Sequence, residues 1–412
     1  MSQLATDTTT PIPITGLGIT SAIGQGKDDF ARALFEGKSR FEIMRRRGRQ
    51  IDSDFIGAEI ADFECATVKS NSRYRTASFS SQTAISTLAE AWSDAGLDRY
   101  DPKRIGLIVG GSNVQQRENM LLQDRYRENP MFVRPTYGFT FMDTDICASC
   151  TSVFDIKGIA FTVGGASASG QLAIIEAAEA IRSGRVDICI ALGALMDISY
   201  WECRGLRSLG AMGSDNFANQ PKLACRPFDK DTDGFIYGEA CAAVVLESAS
   251  VCQERGKSSY AHLSGWATHI DGSRTTAPSL EGEISVIKKA LLMSGLTPKQ
   301  IDYVNPHGTG SPIGDRTELE ALATCGLDRA YINATKSITG HGLSAAGAVE
   351  VLSTCLQMNQ SKLHPSLNMA DPINTDFNWV GCESKDANLQ HSLSLSMGFG
   401  GINTAVCLSK AA

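Results

Sequence analysis

The stretch Thr162-Val-Gly-Gly-Ala-Ser-Ala-Ser-Gly-Gln171 runs without a break into a segment of helical character that ends near Ser183. Most of its residues are small, so the chain can turn sharply there and open a helix predicted over 169–183. Unpaired backbone N–H groups and the helix dipole make such a start favourable for negative charge. Ser167 stands at that point, suited to a nucleophile or to a thioester oxygen that acquires charge. Read by itself, the same serine also fits an N-cap in a packing turn.

Outward from this turn, short apolar runs alternate with helical ones. Strands are expected over 12–19, 105–110, 186–194 and 240–246, then over 262–268, 303–305, 391–397 and 404–408. Helices are expected over 27–36, 76–95, 169–183, 283–294, 317–325 and 344–359. In the last of these Ala348, Val351, Leu352, Cys355 and Met358 recur at helical spacing. The alternation predicts an α/β fold whose strands are buried on both faces. A polar seam over 248–258 divides the chain into halves, 11–250 and 258–412, packed as one compact unit. No internal repeat is visible in the residues themselves.

Bulk properties exclude several classes. The chain has 412 residues, 42% of them hydrophobic, and a net charge of −7, which argues against a nucleic-acid partner. The basic run Arg45-Arg-Arg-Gly-Arg49 reads as a solvated loop. The 12 cysteines have no regular spacing, and Cys147 and Cys150 lack the second pair a zinc site needs. Cys189, Cys241 and Cys407 lie in apolar runs and read as small buried hydrophobes. With a polar N-terminus and no apolar run of about 18 residues, the expectation is a cytoplasmic protein without a membrane span.

Three further small-residue loops accompany the Ser167 turn: Asn305-Pro-His-Gly-Thr-Gly-Ser-Pro-Ile-Gly-Asp315, Lys336-Ser-Ile-Thr-Gly-His-Gly-Leu-Ser-Ala-Ala-Gly347 and Ser396-Met-Gly-Phe-Gly-Gly-Ile-Asn403. Only six histidines exist, and two of them, His307 and His341, fall in these loops. That concentration, with Lys336 nearby, points to a site. A hydrolase elbow does not fit, because Ser169 stands where G-x-S-x-G needs its second glycine. No glycine cluster has the context of a dinucleotide site.

The order of these motifs resembles the β-ketoacyl-ACP synthases, as do Cys225-Arg-Pro-Phe-Asp-Lys-Asp-Thr-Asp-Gly-Phe235 with Gly238-Glu239 and the opening Ile14-Thr-Gly-Leu-Gly-Ile-Thr-Ser-Ala-Ile-Gly24. The resemblance runs from about residue 12 to 410. It implies a thiolase fold, two duplicated βαβαβ halves in a five-layer α-β-α-β-α arrangement, and a homodimer. It places the nucleophile position on Ser167, the two histidines on His307 and His341 and the lysine on Lys336, with Glu350 as the lysine's partner. Phe399 becomes the gate, and the backbone N–H groups of Ser167 and Phe399 become the thioester-oxygen site. Gly400, Gly401 and Asp315 act in support; Asp315, Glu318 and Glu239 hold loops. Thr232 stands where the family often has arginine. The implied partner is an acyl carrier protein, with Lys69, Arg73, Arg75 and Arg207 as the candidate docking residues. No cofactor is implied beyond the phosphopantetheine arm on which the carrier holds substrate.

The departure at the elbow decides the expected activity. The family keeps cysteine there, whose thiol has a pKa near 8.5 and drops further at a helix N-terminus. A serine hydroxyl needs a positioned base, so acyl loading should fail. Decarboxylation of a malonyl thioester needs only donors for the enolate oxygen, and both histidines remain. Ketosynthases of the family with glutamine at this position decarboxylate malonyl-ACP, as do discrete ones with serine that feed polyketide β-branching. The chain is most similar to the last group and is expected to be a malonyl-ACP decarboxylase. Two alternatives are a condensing enzyme that uses Ser167 as an ester nucleophile and a non-catalytic chain-length partner.

Overall fold

A computed structural model describes residues 10–64 and 77–411. Its strands are β1 (Ile12–Ser21), β2 (Ile105–Gly110), β3 (Ala160–Val163), β4 (Ile188–Gly193), β5 (Ala240–Glu247), β6 (Ala261–Ile270), β7 (Tyr303–Asn305), β8 (Tyr331–Ile332), β9 (Asn378–Trp379), β10 (His391–Gly398) and β11 (Ile402–Lys410). They lie side by side in the order β9-β8-β7-β10-β11-β6-β1-β5-β4-β2-β3. From β1 outward to β3 the pairings run antiparallel, antiparallel, parallel, parallel. From β6 outward to β8 they run in the same succession. This repeat of directions is the duplication that the residues alone hide. The halves meet where β1 and β6 pair antiparallel from Ile12↔Leu263 to Ile14↔Ala261.

The principal helices are α1 (Lys27–Phe35), α2 (Phe79–Ala95), α3 (Gln116–Tyr126), α4 (Thr144–Phe154), α5 (Ser169–Arg182), α6 (Tyr200–Ser208), α7 (Leu280–Ser294), α8 (Pro312–Thr324) and α9 (Ala346–Gln360). The alternating side chains of each central strand enter two different cores, which is why the strands read as unbroken apolar runs. In β5, Ala242, Val244 and Leu246 join Ile174 and Ala178 of α5 and Val351 and Leu352 of α9. Cys241, Ala243 and Val245 of the same strand pack against α2 and α4. In β11, Val406 and Leu408 face the middle core, while Ala405 and Cys407 face α7 and α8. The layers therefore run helix, sheet, helix, sheet, helix, with α5 and α9 in the centre. These two helices approach through reciprocal glycines. A Cβ on Gly170 would lie 2.8 Å from the Ala348 nitrogen, and one on Gly347 would lie 2.7 Å from the Gln171 Cβ.

Most expected elements are present with shifted ends. The helix expected over 317–325 begins at Pro312, where Ser311 caps it and proline takes the first turn. The helix expected over 76–95 begins at Phe79 behind the Ser78 cap. Missed were β3, which is short and merges into the glycine turn, the two-residue strands β8 and β9, and the helices α3, α4 and α6. The basic run is corrected in part. Arg49 is fully buried between Glu59, Asp197 and Glu239, and Arg46 pairs with Glu239 at 2.7 Å, so these two belong to an internal ion network, while Arg45 and Arg47 are exposed as a solvated loop requires. Among the described residues, no helix is long and apolar enough to cross a membrane.

Candidate active site

The elbow forms where β3 gives out. Ala166 takes a left-handed φ of 47°, unfavourable for a residue with a Cβ, and one 3₁₀ turn leads straight into α5. Ser169 fastens the turn, its hydroxyl accepting from the Gly165 N–H at 2.8 Å and donating to the Ala166 carbonyl at 2.7 Å. Ser167 is left at the tip, half-buried, with its Oγ 2.9 Å from Nε2 of His341.

His341 follows Gly340, whose φ of 76° and close packing on Gly238 admit only glycine. Its N–H donates to the Ile236 carbonyl at 2.7 Å, and the Gly238 N–H donates to its carbonyl at 3.1 Å. The Gly238-Glu239 motif is thus the rail on which His341 sits. The Phe235 ring meets the imidazole edge-on, with centroids 5.0 Å apart.

His307 lies just beyond the carboxyl end of β7. Glu318 accepts from the His307 and Gly308 N–H groups at 2.6 and 2.8 Å, and Asp315 accepts from Phe228 and Gly310 at 2.6 and 3.1 Å. Both acids hold loops, as expected. Thr232 donates to the Gly310 carbonyl at 2.5 Å and so has a role of its own in this loop. Lys336 is buried, pairs with Glu350 and donates to the His307 carbonyl, while its Nζ lies 3.5 Å from His307 Nδ1. The chain brings this lysine and glutamate together by running α9 back beneath the Lys336 loop.

The imidazole rings stand nearly perpendicular, with centroids 5.6 Å apart. Burial, and then the Lys336 charge, hold both well below the ordinary histidine range, with His341 adding to the effect at His307. Both are neutral at pH 7. The lysine facing Nδ1 of His307 puts that ring's proton on Nε2. For His341, Nδ1 is buried with no partner among the described residues. A proton there would be an orphaned donor, which interiors tolerate least. This favours the tautomer with the proton on Nε2, in which His341 donates to Ser167. Burial pushes Glu350 up to about 7 and Glu318 to about 8, against the pull of Lys336 and of backbone donors respectively.

Ser167, both histidines and Phe399 line one cavity of about 420 Å³. β10 reaches it by passing so close to the elbow that a Cβ on Gly398 would lie 2.2 Å from the Gly165 carbonyl oxygen. Gly400 and Gly401 then turn the chain with φ of 93° and 79°, and the Gly401 carbonyl accepts from the Asp271 N–H at 2.8 Å. Phe399 is left at the mouth, 41% exposed.

Profiles of known families match on both sides of the seam. The β-ketoacyl synthase N-terminal domain covers residues 9–251, and the C-terminal domain covers 260–370. The chain belongs to the β-ketoacyl synthase family. It is 58% identical over 397 residues, 96% of either chain, to the polyketide biosynthesis malonyl-ACP decarboxylase PksF of Bacillus subtilis. It is 32% identical to 3-oxoacyl-[acyl-carrier-protein] synthase 1 of Haemophilus influenzae, covering 96% of this chain and 98% of that one. A β-ketoacyl synthase structure from Burkholderia phymatum superimposes with a TM-score of 0.89 at 27% identity, over 98% of this chain and all of the other.

Within this β-ketoacyl synthase, the structure gathers Ser167, His307, His341, Lys336, Glu350 and Phe399 as one site. The docking residues fare differently. Lys69, Arg73 and Arg75 lie outside the described residues. Arg207 is not free to meet a carrier: it pairs with Asp215 and stacks on Phe55, with its guanidinium carbon 5.6 Å from the ring centroid. Arg204, on the same helix, is exposed. The sequence reading missed Phe235 at His341, and it missed Asp271 and Glu283, which line the cavity from the β6–α7 side. In sequence Glu283 looks like an ordinary first-turn acid complementing a helix dipole.

Proposed function

We propose that this chain decarboxylates malonyl-ACP to acetyl-ACP in polyketide biosynthesis. One observation carries the reading: two buried imidazoles, His307 and His341, line the cavity beside Ser167, and His341 Nε2 lies 2.9 Å from the Ser167 Oγ, where the Nε2–H tautomer donates to the serine instead of activating it. A malonyl thioester oxygen between the two donors gains charge as the C–C bond breaks and CO2 leaves, and fixed donors in a water-poor cavity favour that change. Gly398 lets β10 pass against the elbow, and the family resemblance assigns the backbone N–H groups of Ser167 and Phe399 to the same thioester oxygen. Ser167 accepts a hydrogen bond from His341 instead of giving up its proton, so acyl transfer onto it is disfavoured. Lys336 and Glu350 position His307. The likeness to the Bacillus subtilis decarboxylase supports the same conclusion.

The reading needs no cofactor beyond the carrier's phosphopantetheine arm, which enters past Phe399. The carrier protein docks at that mouth, with the exposed Arg204 offering positive charge on α6, the helix whose Leu206 lines the cavity. A homodimer is supported by the edge strand β3, half-exposed at the end of the sheet, and by the exposed apolar residues Met131, Phe132, Phe139 and Phe141. All eleven cysteines among the described residues are free thiols, in keeping with a reducing cytoplasm.

The test is malonyl-ACP supplied alone, with intact-mass detection of acetyl-ACP. Efficient elongation of an acyl primer, a stable acyl adduct on Ser167, or an unchanged malonyl-ACP would each overturn the reading. Ser167→Cys should accept an acyl adduct that the parent protein does not.

A further inference from the structure

Decarboxylation leaves an electron pair on the enolate, and C2 must take up one proton to become a methyl group. The groups that stabilise the enolate cannot supply it. His307 and His341 are neutral and would have to leave as imidazolates, Ser167 is an alcohol, and Lys336 is taken up by Glu350 and the His307 carbonyl.

Four carboxyl groups line the cavity: Asp271, Glu283, Asp315 and Glu318. Three have donors. Glu318 and Asp315 each accept two backbone N–H groups. Asp271 accepts from the Asn403 amide at 3.0 Å and lies 3.5 Å from His269 Nε2. Glu283 differs. It is 2% exposed, on the first turn of α7, and its Oε2 is buried with no partner among the described residues. An ionised carboxylate there would be desolvated without compensation and would face three other acids. Burial, then Glu318, Asp271 and Asp315, push its carboxyl well above the usual carboxylate range, which favours the protonated form.

We propose that Glu283 is the acid that protonates C2 of the enolate. The Glu283 O–H bond breaks, a C2–H bond forms, and the carboxylate regains a proton from water entering at the Phe399 mouth. The sum is malonyl thioester plus one proton giving acetyl thioester and CO2. The proposal rests on the decarboxylase reading above.

An acid fixed on one wall delivers its proton to one face of the enolate. Malonyl-ACP bearing a single deuterium of defined configuration at C2, turned over in tritiated water, should therefore give a chiral methyl group. Glu283→Gln should slow acetyl-ACP formation by about 10²-fold and give racemic methyl, with the thermal melting point retained. If that variant does not fold, Glu283→Asp keeps the acid but withdraws it by one methylene, and it should lose configurational purity. A racemic product from the parent protein, or a soluble variant with parental rate and configuration, overturns the assignment of Glu283 while leaving the decarboxylase reading intact. Absence of acetyl-ACP from the parent protein overturns that reading, and this inference with it.

Discussion

The two halves of the molecule contain the same backbone device put to different uses. In the first, Ala166 at φ 47° leads through a 3₁₀ turn into α5; in the second, Leu343 at φ 51° leads through a 3₁₀ turn into α9. Ser167 at the first elbow is half-buried, faces the cavity and meets His341. Ser344 at the second is 2% exposed, and its hydroxyl donates to the Ala194 carbonyl at 2.8 Å, across to the other half. Strain and shape are therefore shared, and only one elbow opens onto space. Chemistry in this fold comes from what stands before the elbow. The second half contributes both histidines and the lysine to a serine supplied by the first.

Variants can break this comparison at its strongest point first. Lys336→Ala removes one partner of a buried ion pair that also ties the second half's loops together. Unfolding stability should drop by about 3–5 kcal/mol in urea titration. A drop under about 1 kcal/mol would mean that Glu350 is compensated elsewhere. His307→Ala and His341→Ala each withdraw one enolate donor and should lower the rate of acetyl-ACP formation by about 10²–10³-fold; if neither does, the site lies elsewhere. The elbows themselves separate next. Ser344→Ala leaves a buried carbonyl without its donor and should reduce stability by about 1–3 kcal/mol, with the rate per folded molecule unchanged. Ser167→Ala should do the reverse, leaving stability intact and keeping the rate well inside the about 10²-fold loss that a missing donor brings. Last comes an expected absence of effect. Burial holds His307 and His341 well below the ordinary histidine range, so they stay neutral as the pH falls from 7.5 to 6.5, whereas Glu350, pushed up to about 7, takes up a proton there. In Glu350→Gln the rate should therefore not drop over that interval, and an acidic limb centred near 6.5 in that variant would show that one of the histidines is solvated.

Much of this site was legible because its residues sit in loops whose glycines have a steric reason to be there. His341 needs Gly340 and Gly238 beside it, and Phe399 needs Gly398, Gly400 and Gly401 around it. The fold class was legible because central strands feeding two cores cannot alternate polar with apolar residues. Other features left no local trace. The duplication survives in strand directions and in the paired backbone elbows, which no side-chain pattern records. Arg49 looks like its solvated neighbours until Glu59, Asp197 and Glu239 arrive from three distant segments. Glu283 reads as a helix-start acid, and only the convergence of Asp271, Asp315 and Glu318 around it changes its meaning.

The reciprocal fit of Gly170 against Ala348 and of Gly347 against Gln171 has a consequence for how such a protein can diverge. Neither central helix has room to gain bulk unless its counterpart retreats. A chimera that takes one half from a relative must inherit matching gaps on both sides of the crossing, or Ser167 will be levered away from the histidines. The resemblance between the halves is free to fade at other positions, but at this crossing they stay bound to one another's dimensions.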